Sequence, residues 1–168
     1  MRKYFGIITL LAAFVFAASC DRTETPQEKA PIVIYDGPVD LVDQGFGMYY
    51  GDKNQNNVGV YNIVLSDAVC YRDGYGTPYL DSEGDMFVLE LHCDLQTADT
   101  PVMIPAGEYV ISSTKGVTPS VNLDASYIKK LVGSTQYHYS LVSGSINIAM
   151  TSSGEYEIIT KDLMIERG

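Results

Sequence analysis

The chain has 168 residues, with 21 acidic side chains against 11 basic ones, a formal net charge of −10, 13 tyrosines and no tryptophan. Phosphate binding needs clustered Lys and Arg, so this balance excludes a nucleic-acid partner. The length suits one domain large enough to bury a core unaided.

In chain order, Arg2 and Lys3 precede an uncharged stretch from Tyr4 to Ala18, and Ala17, Ala18 and Ser19 lead into Cys20. This is the layout of a secretory signal peptide. The apolar run falls short of the roughly 18 to 20 residues a spanning helix needs, and acidic and polar residues follow it. Cys20 just after the small residues resembles the lipobox of bacterial lipoprotein signals, with Ala17 where leucine is usual. The resemblance implies that residues 1–19 are removed and that Cys20 is lipidated. Acyl chains contribute about 0.8 kcal/mol per buried CH₂, and two or more hold a protein on a membrane where one barely does.

Residues 21–31, "DRTETPQEKAP", carry no apolar side chain larger than alanine and read as a flexible tether. The expected organisation is a signal peptide over 1–19, a lipidated Cys and tether over 20–34, and a single all-β domain over 35–168. Alternation of apolar and polar residues dominates that domain. "GMYYG" (47–51), "VYNIVL" (60–65), "MFVLELHC" (86–93), "GEYVIS" (107–112), "YHYSLV" (137–142), "SINIAM" (145–150), "YEIIT" (156–160) and "LMIE" (163–166) read as strands. In "MFVLELHC", Phe87, Leu89, Leu91 and Cys93 share the buried face, with Glu90 and His92 opposite. "LDASYIKKLV" (123–132) is the one helical candidate, at most one or two turns, with Asp124 as the cap. Many short strands separated by turn-rich loops predict an antiparallel β-sandwich, with a β-barrel as the alternative. "PAGEYVIS" and "SSGEYEII" echo each other, because glycine suits the turn and tyrosine the strand. The chain stops soon after its last predicted strand, which leaves room for a further C-terminal segment.

In this extracellular context Cys70 and Cys93 form an even pair, either a disulfide or two buried thiols. "DKNQNNV" places Asp52, Asn54 and Asn56 like the first EF-hand ligands, but Asn57 and Ile63 stand where glycine and glutamate are required, so it reads as a polar hairpin loop. Asp81, Glu83 and Asp85 alternate near a glycine and offer Ca²⁺ oxygen ligands, or a solvated acidic turn. His92 and His138 read as exposed strand histidines. His92 and Cys93 are adjacent and point to opposite faces, which prevents a shared metal. "LVSGSIN" lacks the spacing of a nucleophile elbow. Tyr71, Tyr75 and Tyr79 cluster around the "RDGYGTPY" loop, where strand propensity accounts less well for tyrosine, and offer flat apolar faces with hydroxyls suited to sugar stacking or a protein interface.

The Cys20 lipobox with its acidic tether, "YYGDKNQNNVGVYNIVLSD" and "IPAGEYVIS" together resemble the small β-rich lipoproteins of the Bacteroidetes group. The resemblance implies export to the cell envelope and an acyl anchor in the outer membrane, on either face, but supplies no site residues. The functional expectation is a non-catalytic envelope module that binds a glycan or a protein partner. Its rivals are an assembly subunit that pairs through an edge strand and a small hydrolase. Replacing Cys20→Ser is expected to move the protein from the membrane to the soluble fraction and to abolish incorporation of labelled fatty acid. A variant that stays in the membrane and still takes up the label refutes lipidation there.

Overall fold

The computed structural model describes residues 32–38, 44–96, 103–114 and 116–168. Cys20, the signal segment and residues 21–31 lie outside the described residues. The strands are β1 (Ile32–Pro38), β2 (Gln44–Tyr49), β3 (Val58–Ser66), β4 (Cys70–Arg72), β5 (Pro78–Leu80), β6 (Gly84–Asp94), β7 (Gly107–Ser112), β8 (Ser120–Asn122), β9 (Tyr127–Val132), β10 (Thr135–Met150) and β11 (Tyr156–Arg167). Strand structure thus begins at Ile32, inside the stretch assigned to the tether. All described strands and the core lie within 32–168, which is the folding unit.

The all-β expectation holds, and of the two architectures weighed the structure forms the barrel. Two long strands organise it. One edge of β6 carries β3, from Ser66 opposite Met86 to Val58 opposite Asp94. Its other edge is divided, with Gly84–Val88 paired to β9 and Leu91 and His92 to β8. In the same way β10 carries β11 on one edge, while the other is divided between β9 (Thr135–Ser140) and β7 (Ser145–Ile148). Parallel pairing of β7 with β8 completes a closed circuit of five strands, β6-β8-β7-β10-β9. The sheet continues from β6 through β3 to β2, and from β10 through β11 to β1.

One core fills the inside. Phe87, Leu89, Leu91 and Cys93 of β6 meet Tyr61 and Ile63 of β3, Tyr109 of β7, Val121 of β8, Ile128 of β9, Ile146 and Ile148 of β10, and Leu163 and Ile165 of β11. The alternation read in β6 therefore places its inner face correctly. Its outer face is buried as well. Met86 and Val88 pack with Val64 and Cys70, under Phe46, Leu80 and Tyr127. The cover is a small hairpin formed by β4 and β5, and burial of each such side chain contributes about 1.5–3 kcal/mol.

The helical candidate stays within the expected length, and its cap is corrected. A single 3-10 turn spans Leu123–Ala125, its amide at Asp124 received by the Asn122 side chain, so Asn122 is the cap in place of Asp124. The remainder, Tyr127–Val132, is strand, with Ile128 inward. Two pairs of predicted strands are each one continuous strand: 137–142 with 145–150 in β10, and 156–160 with 163–166 in β11. Register shifts at Leu141/Ser143 and Ser143/Ser145 mark the joint in β10. Bulges of this kind bend a strand and increase its twist.

Gly144 sits in that joint with φ +113°, and a Cβ there would lie 2.5 Å from the carbonyl oxygen of Asp162 and 2.7 Å from the Cα of Leu163. Gly144→Ala is expected to cost about 2–4 kcal/mol in urea unfolding, since left-handed strain and a backbone collision add. Gly51→Ala, at φ +60° with nothing within 4 Å of the added carbon, is expected to cost only about 1–2 kcal/mol.

Candidate functional site

The predicted tyrosine cluster exists, and it is built on the β4–β5 hairpin. Pairing of Cys70 with Leu80, Tyr71 with Tyr79 and Arg72 with Pro78 sends alternate residues to opposite faces. Cys70 and Pro78 are buried against the barrel. Tyr71 and Tyr79 point outward, half exposed, their ring centroids 6.0 Å apart at an interplanar angle of 41°. Tyr75 stands at the tip and is 97% exposed.

The tip is tied from within. Asp73 Oδ1 accepts the amides of Tyr75 (2.9 Å) and Thr77 (2.8 Å), and backbone bonds join Asp73 N to Thr77 O and Gly76 N to Asp73 O. Arg72 donates to the Gly76 carbonyl at 2.8 Å and to Asn62 Oδ1 of β3 at 2.9 Å, with its guanidinium 4.6 Å from the Phe46 ring centre. Lys129 of β9 donates to the Pro78 carbonyl at 3.3 Å. Burial lowers the Lys129 pKa, opposed by the nearby Asp73 carboxylate. Of the three tyrosines read from the sequence as loop residues, only Tyr75 lies in the turn; Tyr71 and Tyr79 are strand residues of β4 and β5, where strand propensity also accounts for tyrosine, and the hairpin is fastened to β2, β3 and β9.

The acidic trio does not converge. Asp85 pairs with Lys130 at 3.2 Å, and Glu83 accepts the amide of Gly133 at 2.7 Å. Asp81 is exposed. Among the described residues no three His, Cys, Asp or Glu side chains are gathered to hold a metal ion, so the Ca²⁺ reading of Asp81, Glu83 and Asp85 has no preformed site. The "DKNQNNV" loop is the expected polar hairpin connection, with Asp52 receiving the amides of Asn56 and Asn57.

No disulfide forms between Cys70 and Cys93, and both are buried as thiols. They lie in different apolar clusters, Cys93 in the barrel interior and Cys70 under the hairpin. Burial, with a contribution from Asp94, pushes the Cys93 thiol up to about 11, and burial also raises Cys70 against a hydrogen bond with Ser66. Neither is poised as a thiolate nucleophile.

His138 is exposed as expected, its ring 5.0 Å from that of Tyr127. His92 is not. It is 2% exposed, and Glu90 beside it on the outer face of β6 is buried too. Glu90 Oε1 accepts from Asn122 Nδ2 (2.7 Å) and lies 3.3 Å from His92 Nε2, while Glu90 Oε2 pairs with Lys53 at 3.3 Å. His92 Nδ1 has no hydrogen-bond partner. Burial alone would raise the Glu90 pKa, but the Asn122 hydrogen bond and the Lys53 ammonium outweigh it and hold the carboxyl below its ordinary value. Alternation identified the face that these two residues occupy, but not the segments that cover it.

A second feature escaped sequence reading, a cleft of about 620 Å³ between the β2–β3 pair and β11. Gly45 and Gly47 face inward on β2, opposite Leu65 and Ile63 of β3. Those two apolar side chains and Ile158 line the cleft, with Tyr49, Tyr61 and Tyr156 also contributing. "GMYYG" was read as a strand over 47–51; β2 instead runs Gln44–Tyr49, so Gly47 lies inside it and opens space beneath it.

No family model matches the chain, and neither a curated protein nor a solved structure matches it. Among the described residues no helix is long and apolar enough to cross a membrane.

The Glu90 cluster has a pH signature. A carboxyl whose folded pKa is depressed stabilises the fold above its unfolded pKa, and that contribution disappears as pH falls through the folded value. Glu90→Gln keeps an acceptor for Asn122 but removes the charge facing Lys53. The variant is expected to be less stable than wild type near neutrality. The gap between their urea midpoints should close as pH drops below the ordinary glutamate value of about 4.3. A gap independent of pH refutes a charge-based role.

Proposed function

We propose that this chain is a lipid-anchored, non-catalytic binding module of the cell envelope, whose tyrosine hairpin contacts a glycan or a protein partner. The observation that carries the reading is Tyr75, nearly fully exposed at the tip of a hairpin whose base and turn are held by buried side chains and by Arg72, Asp73 and Lys129. Exposing an aromatic ring on a fastened loop lowers the ordering cost that binding would otherwise incur. Tyr71 and Tyr79 extend the same outward surface, and tyrosine's flat face and hydroxyl suit both sugar stacking and protein contact. Anchoring through Cys20 at the outer membrane, as in the Bacteroidetes lipoproteins that the sequence resembles, would place this surface in the envelope.

The assembly reading keeps one supporting observation. β2 ends the strand order, with Met48 and Tyr50 exposed beside it, and an open strand edge is a template for pairing with another chain.

A glycan array and an envelope pull-down with residues 20–168 carrying Cys20→Ser test the proposal. A ligand in either arm whose affinity falls about tenfold or more on Tyr75→Ala, with the urea midpoint unchanged, supports it; losses of this size mark aromatic hot spots. A ligand that binds Tyr75→Ala as well as wild type, or none in either arm, refutes the hairpin as the contact surface. Concentration-dependent self-association abolished by a proline in β2 would favour assembly instead.

A further inference from the structure

We propose that the cleft between the β2–β3 pair and β11 binds a neutral amphiphile, an apolar molecule whose oxygen-bearing end meets a group of tyrosine hydroxyls.

The size is that of a small-molecule site, about 620 Å³ against a usual range of about 300–1,000 Å³. Gly47 opens it without being required by the backbone, whereas a Cβ on Gly45 would lie 3.3 Å from Leu65 Cδ2 and 3.4 Å from the Val64 carbonyl oxygen. Neither Gly45 nor Gly47 has a positive φ, and a Cβ on Gly47 would meet only the Asn62 carbonyl oxygen, at an ordinary 3.9 Å. Glycine inside a strand weakens it and commonly marks a place where a ligand or another backbone comes close. Here two of them remove successive inward side chains from the same strand, directly over Ile63 and Leu65.

The cleft has two chemically different ends. Ile63, Leu65 and Ile158 make one apolar. At the other, two tyrosine hydroxyls bond the backbone of Met103 and Ile104 and a third bonds that of Gln96. Tyr61 Oη donates to the Met103 carbonyl at 2.6 Å, Tyr156 Oη accepts the Ile104 amide at 2.9 Å, and Tyr49 Oη accepts the Gln96 amide at 3.0 Å. The Gln96 side chain in turn bonds Met103 through both its oxygen and its nitrogen. Because Tyr49 and Tyr156 use their oxygens as acceptors, each keeps a hydroxyl proton to donate. Burial, with smaller contributions from Cys93, Tyr49 and Tyr156, raises the Tyr61 pKa, so its hydroxyl stays protonated.

Charge decides the ligand class. None of the described lining residues is Lys, Arg, His, Asp or Glu. Among the described lining residues a buried carboxylate or ammonium finds no counter-charge, and it would be penalised by desolvation. A neutral alcohol, ester or ketone oxygen accepts a hydroxyl proton without that penalty. Pairing of a second chain along the free edge of β2 does not account for the cleft, because such a strand extends the sheet in its own plane about 4.8 Å away. The space at Gly47 would stay unfilled.

The test is calorimetry on residues 20–168 carrying Cys20→Ser, with three probes of equal chain length: decanol, decanoate and decyltrimethylammonium, each below its micelle-forming concentration. Decanol is expected to bind at least about tenfold tighter than either ion. Gly47→Leu, which fills the cleft from a position with room for it, is expected to weaken decanol at least about tenfold without lowering the urea midpoint. Tyr156→Phe should weaken it by up to about tenfold, the range of a hydrogen bond's net contribution. Equal or tighter binding of an ion, undiminished binding to folded Gly47→Leu, or no binding of decanol overturns the proposal. So does self-association that Gly47→Leu abolishes while decanol binding persists, which would assign the cleft to a second copy. Tyr75→Ala should leave decanol affinity unchanged, so failure here and failure of the hairpin reading are separable.

Discussion

Everything in this fold depends on how β6 and β10 each divide one edge between two partners. On β6 the ladder to β9 ends at Val88 and the ladder to β8 begins at Leu91, which leaves Glu90 at the fork. Its amide, buried and out of the ladder, donates to Ser126 Oγ at 2.9 Å, while its carboxylate takes the Asn122 side chain. Asn122 closes β8 and Ser126 precedes β9, so one residue ties together both sides of the 3-10 turn that carries the chain between them. An unpaired amide in this position would cost about 1–3 kcal/mol. On β10 the change of partner falls between Ser140 and Ser145, where both register shifts and Gly144 also lie. Bend and fork occur together because a strand can meet two differently directed neighbours along one edge only if it turns between them.

The acidic composition has a structural use that net charge does not reveal. Asp52 and Asp73 receive the amides of their own loops, Asp67 receives the Asp85 amide at 2.6 Å, and Glu83 that of Gly133. Glu108 receives the Ser145 hydroxyl at 2.7 Å. A fold of many short strands leaves many turn amides outside any ladder, and carboxylates are strong acceptors for them. Asp81, Glu83 and Asp85 look like a cation site when spacing alone is considered. Two of the three are already engaged, by Gly133 and by Lys130.

Legibility in the sequence followed segment length and the distance over which each residue finds its partner. β3 and β6 show alternation over six residues or more, and their inner faces were readable. β4, β5 and β8 have three residues each, too few for a period to register. β9 reads "YIKKLV", where Lys129 and Lys130 mask the alternation because each reaches a distant acceptor, Pro78 and Asp85. The tyrosine hairpin was legible because its turn chemistry is local. Burial of Glu90 and His92 was not, since their cover comes from residues at least thirty positions away in sequence, Lys53, Asn122 and Ser126. The cleft was not legible either, because a glycine read alone signals a turn, and only its partner strand shows that it faces inward.

β2 connects the two candidate binding features. Its outward Phe46 lies under the Arg72 guanidinium that fastens the hairpin, and its inward Gly45 and Gly47 form the roof of the cleft. The strand is held on its outer side by Phe46, and on its inner side by Tyr49, whose ring lies 4.6 Å from that of Tyr61, with no side chain at Gly45 and Gly47. Its position is therefore set mainly by the hairpin and by β3. The tyrosine display would then gain rigidity from the same packing that leaves the cleft open. Filling the cleft would add contacts to the inner face of β2 without removing any from the outer one. A ligand there could influence the hairpin only by favouring one arrangement of β2 over another, since equal affinity for both would shift nothing.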